Sequence, residues 1–485
     1  MPRIRERPCH QLSLPREELG DRLPVLRPRV GIGPEAGLDR EVARVADRHS
    51  RQGGHAGQPV DQAQAAQAGR RSLHAPEVAA EGGGDADDDD GRGHEGSIVA
   101  TSAPCRLRHH RAVRIRDFAL ERYFARWEFN VRYLLCASDI EGLGMAELLA
   151  LADEETRALW DGLRLGYTES TGHPLLRAEV AGLYETISAD EVLVFAGAEE
   201  AIFCLLNVVL GPGDHAIVTW PGYQSLYEVA RAAGADVTLH RLEEGSGWAL
   251  DVDALRRQLR PETRLVVVNV PHSPTGMLPD HRTWRALTDL CAEAGVHLLA
   301  DEVYRFLEYD DGDRLTAGAD ALPRGVSLGV MSKSFAMAGL RIGWLATRDR
   351  ELLDRCAAFK DYTTICSSAP SEVLALIGLR ARDAVLARSR SIVAANLARV
   401  DRFFAEWAET FSWVRPRAGS VGFPRLLADV PIDRFAADLV ETEGVLLLPG
   451  SVFEHPGNHF RIGLGRTSLP EALDRLEAFA ARRLR

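Results

Sequence analysis

The sequence predicts an α/β fold, a three-layer sandwich with a largely parallel central sheet, joined to a smaller α+β domain. Three observations lead there. From Glu191 onward, short apolar runs alternate with longer amphipathic stretches, the pattern of repeated crossovers that place helices on both faces of a parallel sheet. Residues able to do chemistry fall one after another where those runs end, at the carboxyl ends of strands where such sheets gather ligands. The chain, at 485 residues, also exceeds the size of one core, so more than one domain is expected.

Taken in order, residues 1–110 are crowded with Arg, Gly, Ala, His, Gln and Pro and carry the acidic run Asp85 to Asp90 without a helical or strand period. Such a stretch buries too little apolar surface to offset its ordering entropy, so disorder is the default. A regulatory tail, an upstream start and a reading-frame artefact are the alternatives that composition leaves open. Residues 111–160 form an N-terminal arm and part of the small domain. Within them RDFALERYFARWEFNVRYLL has helix-like spacing and MAELLALADEETRALWDGLRL reads as a helix. The large domain spans 161–350. GYTESTG places Tyr167 in an exposed turn; EVLVF, HAIVTW, DVTLHRL, RLVVVNV, VHLLAD and GVSLGV read as strands, with helices at AEEAIFCLLNVVL, QSLYEVARAAG, DVDALRRQL and RTWRALTDLCAEAG. The small domain occupies 351–485: a helix-rich stretch to about Trp413, short strands in RAGSVGFPRLL and EGVLLLPGSVF, then FRIGLGR and a terminal helix from Pro470.

Composition excludes several function classes. The formal net charge is −12, which gives no concentrated basic surface for nucleic acid. Seven cysteines occur without a CxxC pair and read as reduced thiols of a cytoplasmic protein. No apolar run is long enough to span a bilayer, and the Arg-containing N-terminus lacks the apolar core of a secretory signal. The Asp run lacks interleaved ligands and reads as solvated charge rather than a metal site.

The strand ends carry the candidate groups. Gly197, Ala198 and Glu199 open a helix whose first amides can bind a phosphate. Tyr223 follows the second strand with a ring able to lie on a planar cofactor. Pro271, Pro274 and Gly276 make a stiff turn that presents Ser273. Asp301 ends a further strand with Tyr304 close behind, a carboxylate suited to a protonated ring nitrogen. Lys333, between Ser332 and Ser334, is a candidate imine former, since burial and like charge favour the neutral amine an imine requires. Arg341 follows eight residues later. Each alone is ordinary; their succession at strand ends is not.

The pieces GYTESTG, FAGAEEA, PGYQSLY, NVPHSPTG, DEVYRFL, SKSFAMAGLRIGW and FRIGLGR together make residues 115–485 resemble the class I/II aminotransferases, fold-type I pyridoxal-phosphate enzymes. The resemblance implies pyridoxal 5'-phosphate as cofactor, bound covalently by Lys333. Asp301 then holds the pyridine nitrogen, Tyr304 contacts the phenolic oxygen and Tyr223 stacks on the ring. Ala198, Glu199, Ser332 and Arg341 hold the phosphate, and Tyr167 reaches it across a homodimer interface. Arg461 grips the substrate carboxylate. Thr364 and Ser367 are candidates to line the neighbouring subunit's site, and the arm around Arg126 to Leu143 covers the pocket. Two departures stand out: Ser273 replaces the family's asparagine, and Val330 occupies a position that often carries Ser or Thr.

The expected reaction is exchange of an amino group between an L-amino acid and a 2-oxo acid. NVPHSPTG, KDYTT, RAGSVGFPR and EGVLLLPGSVF also resemble the capreomycidine synthase group of this superfamily, which cyclises a hydroxylated arginine by β-replacement. Elimination, replacement or cyclisation is therefore the alternative, and an inert cofactor-binding relative a third. Substrate side-chain preference stays open; Trp127, Phe129, Tyr133 and Cys136 permit an apolar or mixed substrate, or form a packing surface.

Overall fold

The computed structural model describes residues 115–484; the expectations for residues 1–110, the acidic run included, lie outside the described residues. The arm opens with α1 (Ala119–Trp127). A seven-stranded sheet follows, made of β1 (Val192–Phe195), β2 (His215–Trp220), β3 (Asp236–Arg241), β4 (Thr263–Asn269), β5 (His297–Asp301), β6 (Gly325–Val330) and β7 (Gly343–Ala346). The spatial order is β1-β7-β6-β5-β4-β2-β3. The neighbours β3, β2, β4, β5 and β6 pair in parallel, whereas β7 runs antiparallel to both β6 and β1. The largely parallel sheet expected from the sequence is thus present, with one reversed strand that four residues without alternation did not announce.

Helices cover both faces. Leu265 and Val267 of β4 pack with Leu205, Tyr227 and Leu352, from α2 (Ala198–Val209), α3 (Ser225–Ala232) and α6 (Arg350–Lys360). Val266 and Val268, one residue out of phase, face Leu255, Trp284 and Leu287 of α4 (Val252–Gln258) and α5 (His281–Ala294). The period-two alternation of a strand buried on both sides accounts for the continuous VVV run. Burying each such side chain is worth roughly 1.5–3 kcal/mol. Asp280 caps α5 by accepting the Thr283 amide at 2.7 Å, and Gly295 ends it in the left-handed region.

Beyond the sheet, α7 (Ala369–Arg380) packs on the β1/β7 edge. Then α8 (Arg382–Glu406), α9 (Ile432–Glu443) and α10 (Leu469–Arg483) enclose Phe403, Phe411, Leu439 and Leu476. The strand Phe460–Gly463 lies between Val421–Gly422 and Leu448–Pro449, antiparallel to both.

Two sequence readings change. The helix expected over MAELLALADEETRALWDGLRL is two helices, Met145–Ala150 and Glu154–Asp161, because the Asp153 carboxylate accepts the Thr156 amide at 2.7 Å and starts a new helix. The helix-like spacing of the arm ends at Trp127; Tyr133–Leu134 instead pairs in parallel with Val445–Leu446.

Candidate active site

The floor of the main cavity is built from strand ends. Asn269 closes β4 and pairs in register with Asp301 at the end of β5. The Asn269 amide donates to the Asp301 carbonyl at 2.9 Å, and its oxygen accepts the Ser273 amide at 2.6 Å, so one side chain ties the two loops. Gly276 has φ +68°, and a Cβ there would lie 2.2 Å from Pro416 Cβ; only glycine serves at this turn. The Asp301 carboxyl is buried, with the Val303 amide 3.3 Å away. Burial pushes it up to about 7, against the opposing pull of that amide and of Lys333. Tyr304 is buried beside it.

Lys333 follows β6. Its Nζ donates to Ser138 Oγ at 2.9 Å and lies 5.9 Å from the centre of the Tyr304 ring. Ser332, Ser273 and Val330 line the same cavity. At its far end Gly197 (φ +90°) leads into α2, and a Cβ on it would meet Arg341 Nη2 at 2.6 Å. Gly343 leaves similar room, since a Cβ there would lie 2.7 Å from the Ala198 nitrogen. The first amides of α2 have no acceptor within the helix, and the Arg341 guanidinium stands beside them. The Glu199 carboxyl is engaged elsewhere: it accepts Ser225 Oγ–H at 2.5 Å and meets Tyr223. Burial raises both Glu199 and Tyr223. Glu199 therefore offers an anion its backbone amide, not its side chain.

Arg461 comes from the central strand of the small C-terminal sheet and is 3% exposed. Its Nε donates to the Cys136 carbonyl at 3.0 Å, while Nη2 is buried without a partner. A buried guanidinium nitrogen in this condition awaits an acceptor. The arm lines the cavity, of about 320 Å³, with Leu120, Glu121 and Phe124 from one side of α1, Glu128 from its helical C-cap, and Ala137 to Asp139 from the turn beyond. The Arg466 Nη2 donates to both oxygens of Asp139 at 3.0 Å.

The structure thus brings Ala198, Glu199, Tyr223, Ser273, Asp301, Tyr304, Ser332, Lys333, Arg341 and Arg461 to one cavity. It leaves others outside. Tyr167 is 92% exposed. Thr364 donates to Glu200 at 2.7 Å, and Ser367 is buried with its hydroxyl unpartnered. Trp127, Phe129, Tyr133 and Cys136 do not line the cavity. Sequence reasoning missed Ser138, Asn269, Glu121, Glu128 and Asp139. Asn269 stood in the NVPHSPTG motif and was within reach; a lone serine in a turn gave no signal.

These groups fit pyridoxal phosphate: a buried carboxyl for a cationic ring nitrogen, a ring to stack on it, a lysine amine, and a glycine-opened cradle with an arginine for phosphate. Among the described residues no three His, Cys, Asp or Glu side chains are grouped to hold a metal ion, and no helix is long and apolar enough to cross a membrane. The family described as aminotransferase class I and II matches residues 133–476. Capreomycidine synthase of Streptomyces vinaceus is 32% identical over 354 residues, 73% of this chain and 89% of that protein. A probable N-succinyldiaminopimelate aminotransferase of Mycobacterium tuberculosis is 32% identical over 334 residues, 64% of this chain and 83% of that one. Among solved structures, a PLP-dependent aminotransferase from Streptococcus suis aligns with a TM-score of 0.72 at 30% identity, covering 76% of this chain and 98% of its own. A cavity floored by Asp301 and reached by Lys333 and Arg461, together with a match over most of the described chain, leads to one conclusion: the chain belongs to the class I and II aminotransferases and is a pyridoxal-phosphate-dependent enzyme.

Proposed function

We propose that the enzyme moves the amino group of an L-amino acid to a 2-oxo acid in this cavity, with the roles that follow. The observation that carries the reading is that the Lys333 amine and the unpartnered Arg461 Nη2 line one cavity whose floor is the buried carboxyl of Asp301. Bound pyridoxal phosphate supplies the electron sink that lets an amino acid lose its α-proton. Asp301 holds the ring nitrogen in its cationic form, and that pairing offsets the cost of burying the carboxylate. Tyr223 would stack on the ring, and Tyr304 and Ser273, which line the same cavity, would serve its phenolic oxygen, serine with a shorter reach than the usual asparagine. The amides of Ala198 and Glu199, with Ser332 and Arg341, hold the phosphate. Arg461 fixes the substrate α-carboxylate through its planar fork. Lys333 would hold the cofactor through its amine, and the same Nζ, which donates to Ser138 Oγ at 2.9 Å, would be the group that moves the substrate α-proton.

A homodimer is part of this reading. Leu165, Tyr167 and Tyr362 are each at least 90% exposed, and Ile365 is 51% exposed. Their two segments are joined by the Thr168 to Glu372 hydrogen bond of 2.9 Å and by the Lys360 ammonium on the Ser170 carbonyl. An apolar patch of this kind is suited to a second copy, and it would carry Tyr167 to the partner's phosphate site. The C-terminal part, residues 351–484, with the arm, acts as the small domain that closes over substrate and excludes water. Five cysteines of the described part are free thiols, which supports a cytoplasmic setting.

A second reading, β-replacement or cyclisation, is favoured by the likeness to capreomycidine synthase. Single-turnover absorbance of the cofactor-loaded enzyme with a panel of amino acids, coupled to mass analysis, separates the two. Release of a 2-oxo acid with the amino group left on the cofactor is the expected result. A cyclic or eliminated product with the lysine-bound spectrum restored would replace transamination by the second reading.

A further inference from the structure

We infer that the amino donor carries a positively charged side chain, an ammonium or guanidinium, received by Glu121 and Glu128 while Arg461 takes its α-carboxylate. This rests on the aminotransferase reading of the cavity and names the substrate class within it.

Leu120, Glu121, Phe124 and Glu128 all line the cavity, and their spacing of three, four and seven residues is that of one helical face. Glu121 and Glu128 stand two turns apart, roughly 10 Å along the axis, with Phe124 between them. The Arg461 guanidinium lies 5.8 Å from the Phe124 ring. A ligand carboxylate on the unpartnered Nη2 of Arg461 therefore sits beside the middle of this face, with one glutamate a turn to either side. Neither glutamate forms an ion pair or hydrogen bond among the described residues, unlike Asp139, which Arg466 already occupies.

The charges of the whole cavity agree. Its cations are Lys333, Arg341 and Arg461; its carboxyls are Glu121, Glu128, Asp139, Glu199 and Asp301. With Lys333 and Arg341 committed to the cofactor and Arg461 to the α-carboxylate, no lining cation is left for a second acidic group. A dicarboxylic amino acid would bring its distal carboxylate against Glu121 and Glu128. Burial, and after it Asp139 and Glu121, hold the Glu128 carboxyl above its ordinary value against the smaller pull of Arg466 and Lys333, and a cation placed there relieves the remaining repulsion. The orphaned guanidinium and the unpaired glutamates fit the two ends of one molecule.

The test uses near-isosteric pairs that differ by one charge: L-ornithine against L-norleucine, and L-arginine against L-citrulline. Calorimetric titration of the cofactor-loaded enzyme reads affinity, and 2-oxo acid release reads turnover. The charged member of at least one pair is expected to win by about tenfold or more, the size of one hydrogen bond to a charged group. In Glu121→Gln/Glu128→Gln the preference should fall to within about twofold, with cofactor absorbance unchanged. Equal binding within both pairs, stronger binding of L-aspartate, or a preference that survives the double variant would overturn the proposal. Selective binding of the charged amino acids with no 2-oxo acid formed would leave it standing and would instead refute the aminotransferase reading.

Discussion

Asp301 is a carboxyl placed where a carboxylate is least comfortable. With its folded value raised to about 7 from 3.8, the cofactor-free protein holds a proton there that the unfolded chain has already released. Between those values the folded state binds more protons, so the contribution of this group to stability falls as pH rises, by at most ~1.4 kcal/mol per pH unit. Urea unfolding of the cofactor-free protein from pH 4.5 to 7 should therefore show a shallower loss in Asp301→Asn than in wild type; parallel slopes would contradict the assignment. At Arg461, truncation to Ala should raise KM for the amino donor by about a hundredfold, as expected for a lost charge-assisted pair, while the cofactor spectrum stays as it was. An unchanged KM would remove the residue from substrate binding. Asp301 was legible from its place at a strand end, whereas Arg461 was named only through the resemblance that FRIGLGR helps to carry. Ser138 was not, since its meaning comes entirely from the lysine that folding brings to 2.9 Å across 195 positions of chain.

At the level of elements, the start of α2 depends on a conformation that side chains resist. Gly197→Ala would strain the backbone and push into the Arg341 guanidinium. Cofactor retention on dialysis should fall at least tenfold relative to wild type, an effect of about 1.4 kcal/mol or more, with the fold intact by circular dichroism. Wild-type retention would show that this cradle does not hold the phosphate. The long strands and helices of the sheet were readable because burial on two faces or one imposes a clear period. The break at Asp153 was not, because a capping side chain is indistinguishable by composition from a solvated one until its amide partner is known. Helix α1 was legible as a helix but not as a cavity wall. A charged position on an amphipathic helix reads as a solvated one; Glu121, which is exposed, and the half-buried Glu128 also line the cavity, while Trp127, for which the sequence left pocket lining and packing both open, packs against the core.

For the molecule as a whole, the exposed Leu165 and Tyr362 make the proposed dimer testable. Leu165→Asp/Tyr362→Asp should sediment as a monomer and lose activity at least tenfold, since Tyr167 would no longer reach a partner, a loss of about 1.4 kcal/mol. A dimer of unchanged activity would place the interface elsewhere. The chain's layout has one more consequence. In the proposed roles the groups for the cofactor arise from residues 197–343 and the carboxylate grip from Arg461, whereas the glutamates proposed to meet the substrate side chain belong to the short α1 and its C-cap, a helix pinned by the Gln224 side chain on the Ala119 amide and by Tyr123 on the Leu447 carbonyl, both at 2.8 Å. For protein engineering, this makes selectivity a separable module: a library confined to Leu120, Glu121, Phe124 and Glu128 samples new donors while every group at the cofactor stays as it is.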